Sequence, residues 1–336
     1  MNLIEPWGGL ALATAVPLAL LVDRLWGEPP TPVHPVVWMG RYLGWVGHRL
    51  APCEGVGPDP EGRRDLPRLL GGAWLWCLGA GGCAALAGGL QAWALQQPAW
   101  LAALVLGLAL KPLLAWRLLG DEVQAVEEAL AESLPAGRAR LAWLVSRDVS
   151  QLGPHQVRES AIESLAENLN DSVVAPLFWF AVAGLPGAAL YRFANTADAM
   201  WGYPGWRGGS AGRHYWAWAG KWAARADDVL SWCPARLTAL LLARPGRLPW
   251  HRVRAEAAKT PSPNSGWPMA AMALRLGVRL GKPGAYVLNP LAPTPMPVHT
   301  QRALSWAGAA VAWAGGVTGV GLALVSVWSR CLGGVA

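Results

Sequence analysis

Three apolar runs constrain this chain more than any other feature: Leu69 to Trp93, Ala99 to Leu119 and Ala303 to Trp328. Each approaches the ~20 residues that cross a ~30 Å hydrocarbon core. In that solvent every backbone polar group must be satisfied within the segment, so the runs are expected to be helices. Lys111 and Pro112 interrupt the second run, and the lysine must either face the protein interior or extend its ammonium to the surface. A shorter run, Leu10 to Val22, carries Pro17 and reaches the length of a thin first span when extended over 8–22. With no basic region before it and no small-residue cleavage signal after it, it reads as a retained helix. Only 15% of the chain is charged and 53% hydrophobic, against about 25% charged in soluble proteins. The expected fold is all-α, a polytopic integral membrane protein forming a single domain over 1–336. Its spans fall at 8–22, 69–93, 99–119 and 303–328, about four transmembrane helices in all.

The net charge of +7 arises from basic residues spread over several loops. No zinc finger, helix-turn-helix or RNA-binding signature accompanies them, so nucleic acid is not an expected partner. The five cysteines include no C-x-x-C pair, which points to neither a zinc site nor a disulfide framework. Membrane topology explains the charges better. Arg24, Arg41, Arg49, Arg63, Arg64 and Arg68 fill 23–68, whereas the link QAWALQQPAW has no Lys or Arg. The positive-inside rule then puts 23–68 in the cytoplasm and 94–98 outside. Residues 120–172, an acidic helical region that also holds Arg138, Arg140, Arg147 and Arg158, return to the cytoplasm, and both termini are external.

Residues 194–301, a basic stretch that includes Arg244 and Arg247, should be cytoplasmic as well, so 173–193 cannot simply cross. A re-entrant hairpin is expected there. Val173 to Ala183 forms a helix of only ~16 Å, and Gly184-Leu185-Pro186-Gly187 supplies turn chemistry. The competing arrangement is a full crossing with a return through Val229 to Ala243. That return places Pro234 and Arg236 near its middle, where an arginine costs about 2.5–3.5 kcal/mol.

Just before this segment lies SRDVSQLGPHQVRESAIESLAENLND, residues 146–171. On a helix, Glu159, Glu163, Glu167, Asn170 and Asp171 share one face. Each like-charge pair at that spacing costs roughly 0.2–0.5 kcal/mol, so a cation against the row would relieve it. Mg²⁺ carrying nucleotide phosphates suits such a row, because it takes a few carboxylates and keeps water or phosphate in its other positions. A solvated helix face would read the same way. No G-x-x-x-x-G-K-[ST] loop occurs, which excludes a Walker-type nucleotide site. A hairpin at 173–193 would bring Asn195 and Asp198 back beside Glu163, Glu167, Asn168 and Asp171. Elsewhere, Asp23 leaves the first span and His34 precedes Pro35 in a loop, where a lone histidine is more often structural. Asp227 and Asp228 sit at a helix start, where helix-dipole compensation would explain them. The polar loop Thr260 to Pro268, with Ser262 and Asn264, suits a phosphate or an amide and equally a plain connector.

SRDVSQLGPHQVRESAIESLAENLNDSVVAPLFW, FANTADAMWGY, RADDVLSWCPARLTALLL and TPSPNSGWPMAAMALRLGVRLGKPGAY resemble, in this order, the membrane-bound adenosylcobinamide-phosphate synthases (CobD/CbiB) of cobalamin biosynthesis. The resemblance runs from Asp23 to about Tyr286. It departs at Glu28, where Asp is usual, at Thr260, where His is usual, and over 287–301, which does not align. The resemblance implies a ligase that joins adenosylcobyric acid to aminopropanol phosphate or a related amino alcohol phosphate, using ATP and Mg²⁺. It implies a catalytic group of Arg147, Asp148, Glu163, Glu167, Asn168 and Asp171, with Mg²⁺ held by Glu163, Glu167 and Asp171. Substrate or nucleotide contacts would come from Asp23, His34, Asn195, Asp198, Asp227, Asp228, Ser262 and Asn264. The implied setting is a bacterial inner membrane, with the site facing the cytoplasm and a corrinoid meeting the bilayer surface near Trp179, Trp201 and Trp206. Two rival readings use the same scaffold, a non-enzymatic inner-membrane sensor and a transporter. The acids argue against transport, since they flank the spans.

Overall fold

The computed structural model describes residues 6–55, 60–209, 212–243 and 248–333, and Arg244 and Arg247 of the basic stretch lie outside it. Helices α1 (Pro6–Trp26), α2 (Pro35–Leu50), α3 (Leu66–Ala94), α4 (Ala99–Leu110), α5 (Trp116–Glu132) and α6 (Leu134–Leu141) lead to a central pair, α7 (Pro154–Leu169) and α8 (Ala175–Trp201). Then follow α9 (Lys221–Leu230), α10 (Trp232–Ala243), α11 (Trp250–Ala257), α12 (Gly266–Leu276) and α13 (Pro297–Gly333). Two short antiparallel hairpins, β1–β2 (Trp206–Gly209 with Gly212–Tyr215) and β3–β4 (Leu280–Lys282 with Tyr286–Leu288), are its only strands among the described residues. Local chemistry sets several boundaries. Asp65 accepts from Arg68 N at the start of α3, His34 accepts from Val36 N at the start of α2, and Gly277 closes α12 at φ 67°.

Among the described residues five helical runs are long and apolar enough to cross a membrane, which makes this a polytopic membrane protein. Leu70, Trp74 and Leu86 on α3 and Trp313, Val317 and Leu324 on α13 point outward, forming an apolar belt. The fifth run, beyond the four expected, is 154–201. It is not straight. At Ala183 (φ −135°, ψ 16°) and Gly184 (φ 66°, ψ −156°) the helix breaks and turns back. Arg192 Nη1 consequently donates to Asp171 O at 3.3 Å, whereas a straight helix would hold the two residues ~30 Å apart. Gln91 of α3, only 2% exposed, accepts from the freed Leu185 N at 2.7 Å. A backbone break in apolar surroundings is tolerated only with such a partner.

The single helix expected over 99–119 is corrected. The helix ends at Leu110, a 3₁₀ turn covers Lys111–Leu113, Leu114 is extended (φ −109°, ψ 149°), and α5 starts at Trp116. Pro112 cannot donate to a helix ladder, and Lys111 must meet its partners. Its ammonium faces the interior, 3.3 Å from Asp23 and 2.9 Å from Glu28.

Helix α7 lies at the centre, packed by α5, α6, α12, α13 and the β3–β4 hairpin. Every residue from Val157 to Ala166 is buried. That overturns the reading of its acidic row as a solvated face. A helix this polar can be buried all round only if its charges are answered. Arg158 donates to both oxygens of Glu127 at 2.8 and 2.6 Å, and Thr300 donates to the same carboxylate at 2.7 Å.

Candidate active site

The α7 row ends in a π-helical turn, Asn170–Val174, a distortion frequent at functional sites. There Asn170 engages α10 while keeping contact with Asp171. Asn170 accepts from Thr238 of α10 at 3.1 Å and donates to Asp171 Oδ1 at 2.8 Å, leaving Asp171 in line with Glu163 and Glu167. The returning arm of α8 then delivers Tyr191, Arg192, Asn195 and Asp198 to the same place. Asn195 stands between Asp171 and Asp227, its amide acting on both carboxylates. Asp227 arrives from α9, which is anchored to the hairpin because Trp179 Nε1 donates to Leu230 O at 3.0 Å. A hydroxyl chain closes the arrangement, with Tyr191 Oη 3.0 Å from Ser231 Oγ and Ser231 Oγ donating to Asp227 Oδ2 at 3.5 Å.

The result is a trough in which Glu163, Glu167, Asp171, Asp198 and Asp227 act on one another's charges, with Asp228 at its rim. Burial, then the Asp171 and Asp198 carboxylates, push the Asp227 carboxyl well above the usual range. Partial burial raises Asp228, opposed by Arg225. Further cations gather at the other end. Arg147 Nη2 lies 3.8 Å from Glu163 and donates to Ser160 Oγ, and Arg279 donates to Glu159 at 3.1 Å. Tyr286 packs against Glu163 and donates to Met269 Sδ at 3.7 Å, with burial and the Glu163 charge raising its phenol.

The remaining predicted residues are placed differently. Asp148 lies outside the trough and exposed, its carboxylate accepting from Ser150 N at 2.8 Å and Ser150 Oγ at 3.0 Å, contacts that hold it below the usual range. Asn168 turns to another side of α7, donates to Ser164 O at 2.9 Å and lines a separate cavity with Arg192 and Ser172. Asp23 is fully buried, accepting from Arg117 N at 2.9 Å and pairing with Lys111. His34 caps α2 through Nδ1 and reaches Glu28 through Nε2 at 2.9 Å. That network adjoins the trough through Arg192, which feels both Asp171 and Glu28. Ser262 Oγ accepts from Asn264 N and Ser265 N at 3.2 Å, shaping the loop before α12. Asn264 donates to Asp228 O at 2.7 Å and accepts from Arg236 at 2.7 Å, so it positions the Asp228 backbone.

Sequence reasoning missed Tyr191, Arg192, Lys282 and Tyr286. The signals were weak: two polar groups inside an apolar run, and the turn sequence Gly281-Lys282-Pro283-Gly284. Among the described residues no three His, Cys, Asp or Glu side chains converge at direct metal-coordination geometry. The donor set therefore forms no all-protein cage. It does contain Glu163 Oε1 and Asp227 Oδ1, buried oxygens without a hydrogen-bond partner, among several negative neighbours. Such a set fits a cation that retains much of its water.

Fold and site together define a polytopic α-helical membrane protein with a buried, largely anionic trough at the foot of a helical hairpin. The family profile described as CobD/Cbib protein matches residues 16–314, and the chain belongs to that family. A cobalamin biosynthesis protein CobD of Chromobacterium violaceum is 41% identical over 295 residues, covering 85% of this chain and 88% of that relative. The probable cobalamin biosynthesis protein CobD of Methanothermobacter thermautotrophicus is 38% identical over 279 residues, 81% of this chain and 85% of its own. Its counterpart named cobalamin biosynthesis protein CobD in Stutzerimonas stutzeri is 41% identical over 277 residues, 80% and 82% respectively. No solved structure matches the chain.

Proposed function

We propose that this chain acts in cobalamin biosynthesis as an ATP-dependent ligase, joining the free carboxylate of adenosylcobyric acid to the amine of aminopropanol phosphate or a related amino alcohol phosphate. The observation that carries the reading is the convergence of Glu163, Glu167, Asp171, Asp198 and Asp227 around two unpartnered buried oxygens in a chain of this family. An amide can form only after the acid is activated, and an acyl phosphate made from ATP is the simplest route. Mg²⁺ would supply charge neutralisation for that phosphoryl transfer, and Glu167, Asp171, Asp198 and Asp227 would hold it. Arg147 is placed to balance negative charge developing beside Glu163, and the unpartnered Glu163 Oε1 is a candidate acceptor for the proton of the attacking ammonium. The arginine-rich loops between spans support a cytoplasmic face for the trough in a bacterial inner membrane, with 173–193 re-entering from that face. Incubating the purified protein with adenosylcobyric acid, aminopropanol phosphate and MgATP tests the reading. Adenosylcobinamide phosphate by mass, with stoichiometric nucleotide cleavage, is expected. Intact substrates after prolonged incubation of well-folded protein would overturn it.

A further inference from the structure

The trough is not uniformly anionic. From Asp171 onward, Asp198, Asp227 and Asp228 have, among the described residues, no cation near them except Arg192 and the solvent-side Arg225. At the Glu163 end the charges invert. The β3–β4 hairpin lays Lys282 over the row, where its ammonium acts on both Glu163 and Glu167, and Arg147 and Arg279 flank it. Arg147 and Arg279 are engaged by Glu163 and Glu159, whereas Lys282 is exposed and makes no ion pair among the described residues. A cavity of about 430 Å³ opens here, lined by Gln156, Glu159, Arg279, Lys282 and Tyr286. Glu163 is 4% exposed, and its Oε1 remains unpartnered.

An exposed lysine lining this cavity, its charge felt by Glu163 and Glu167, with the Glu163 Oε1 oxygen left unpartnered, matches a ligand with opposite charges at its two ends. We infer that Lys282 is a specificity-determining phosphate contact. It binds the phosphate of an aminoalkyl phosphate and so directs the ammonium to Glu163 and Glu167. The reverse orientation would set a phosphate dianion against Asp171, Asp198 and Asp227. A magnesium nucleotide brings its own cation and suits that anionic end, so the two phosphate-bearing ligands need not compete. Lysine is a point-charge donor that adapts to a phosphate approached from the turn. Two residues after Lys282, Gly284 lies open at the turn and, at φ 74°, holds a conformation that suits glycine.

This inference rests on the amide-forming reading for its choice of ligand, and its test does not require turnover. Calorimetric titration of detergent-purified protein, without nucleotide or corrinoid, would compare aminopropanol phosphate, unphosphorylated aminopropanol and inorganic phosphate. Wild-type protein, Lys282→Gln and Lys282→Arg are measured, with thermal melts to check folding. Losing one charge-assisted phosphate contact is expected to weaken aminopropanol phosphate about ten- to hundredfold in Lys282→Gln. Unphosphorylated aminopropanol should be unaffected, and Lys282→Arg should recover most of the affinity. Equal weakening of both amines, or no binding of aminopropanol phosphate to the wild type, overturns the inference. If a separate MgATP titration is weakened in Lys282→Gln while aminopropanol phosphate binding is not, Lys282 is a nucleotide contact and the inference is overturned. Wild-type binding that depends on Lys282 without amide formation would refute the ligase reading alone.

Discussion

The backbone reversal at Gly184 gives the sharpest test of how the trough is assembled. Gly184 has φ 66° and ψ −156°, a region essentially restricted to glycine, where another residue costs about 1–3 kcal/mol. A Cβ there would sit 2.2 Å from Gln91 Oε1. Gln91 would have to move, breaking its bond to Leu185 N and leaving a buried donor unsatisfied, which costs a further ~1–3 kcal/mol. Gly184→Ala should therefore destabilise by roughly 2–6 kcal/mol. Gly81, in the middle of α3 with nothing within 4 Å of its would-be Cβ, is the control. Alanine there should be neutral or stabilising by up to about 1 kcal/mol. Gln91→Leu should reproduce only the hydrogen-bond part of the Gly184→Ala loss. Thermal unfolding in one detergent, read by tryptophan fluorescence, ranks the three variants. If Gly184→Ala unfolds with Gly81→Ala and retains activity, the chain does not turn back at this point, and the convergence of Asp171 with Asn195 loses its cause.

Glu167→Gln should abolish turnover while leaving expression and membrane insertion intact, because it removes one of several mutually repelling, half-buried carboxylates. Near-wild-type activity would remove Glu167 from the chemistry. Asp227 has a raised carboxyl, so the folded state keeps a proton that the unfolded chain releases above about pH 4, and stability falls as pH rises toward the folded value. In chelator-treated protein, Asp227→Asn should then melt above wild type near pH 8 and converge with it near pH 4, and a wild-type advantage near pH 8 would refute the assignment. Arg158→Leu strands Glu127 and should destabilise by about 3–5 kcal/mol, with Arg158→Leu/Glu127→Leu recovering part of the loss. Additive losses in the double variant would show that the pair is not coupled.

Helical spacing was enough to align Glu163, Glu167 and Asp171, and the glycine-proline turn at 184–187 marked where the chain reverses. What spacing could not show is who answers the row. Glu127, Arg279, Lys282 and Tyr286 meet α7 from sequence distances that no local pattern encodes. The break after Leu110 was hidden because apolar composition continues through Leu113 and Leu114, while the cause, Lys111 reaching Asp23 and Glu28, is a long-range pairing. Asp227 and Asp228 looked like helix-dipole compensation because nothing local distinguishes them. Their place follows from the Trp179 to Leu230 bond and from Asn195, contacts made only in the folded chain. Asn168 shows the opposite error, since it adjoins Glu167 in sequence but one residue turns a helix by ~100° and sends it to another cavity.

The central claim is that carboxylates from α7, α8 and α9 form one cation-dependent site. Titration with Mn²⁺ as a paramagnetic stand-in for Mg²⁺, in the presence of a non-hydrolysable ATP analogue, measures this directly by electron paramagnetic resonance. Glu167→Gln, Asp198→Asn and Asp227→Asn, taken from the three helices, should each weaken Mn²⁺ binding about tenfold or more, the size of one lost charged contact. Asp148→Asn, outside the trough, should leave it unchanged. Wild-type affinity in the Asp198 and Asp227 variants, with loss only in Glu167→Gln, would show that the helices do not share a single site.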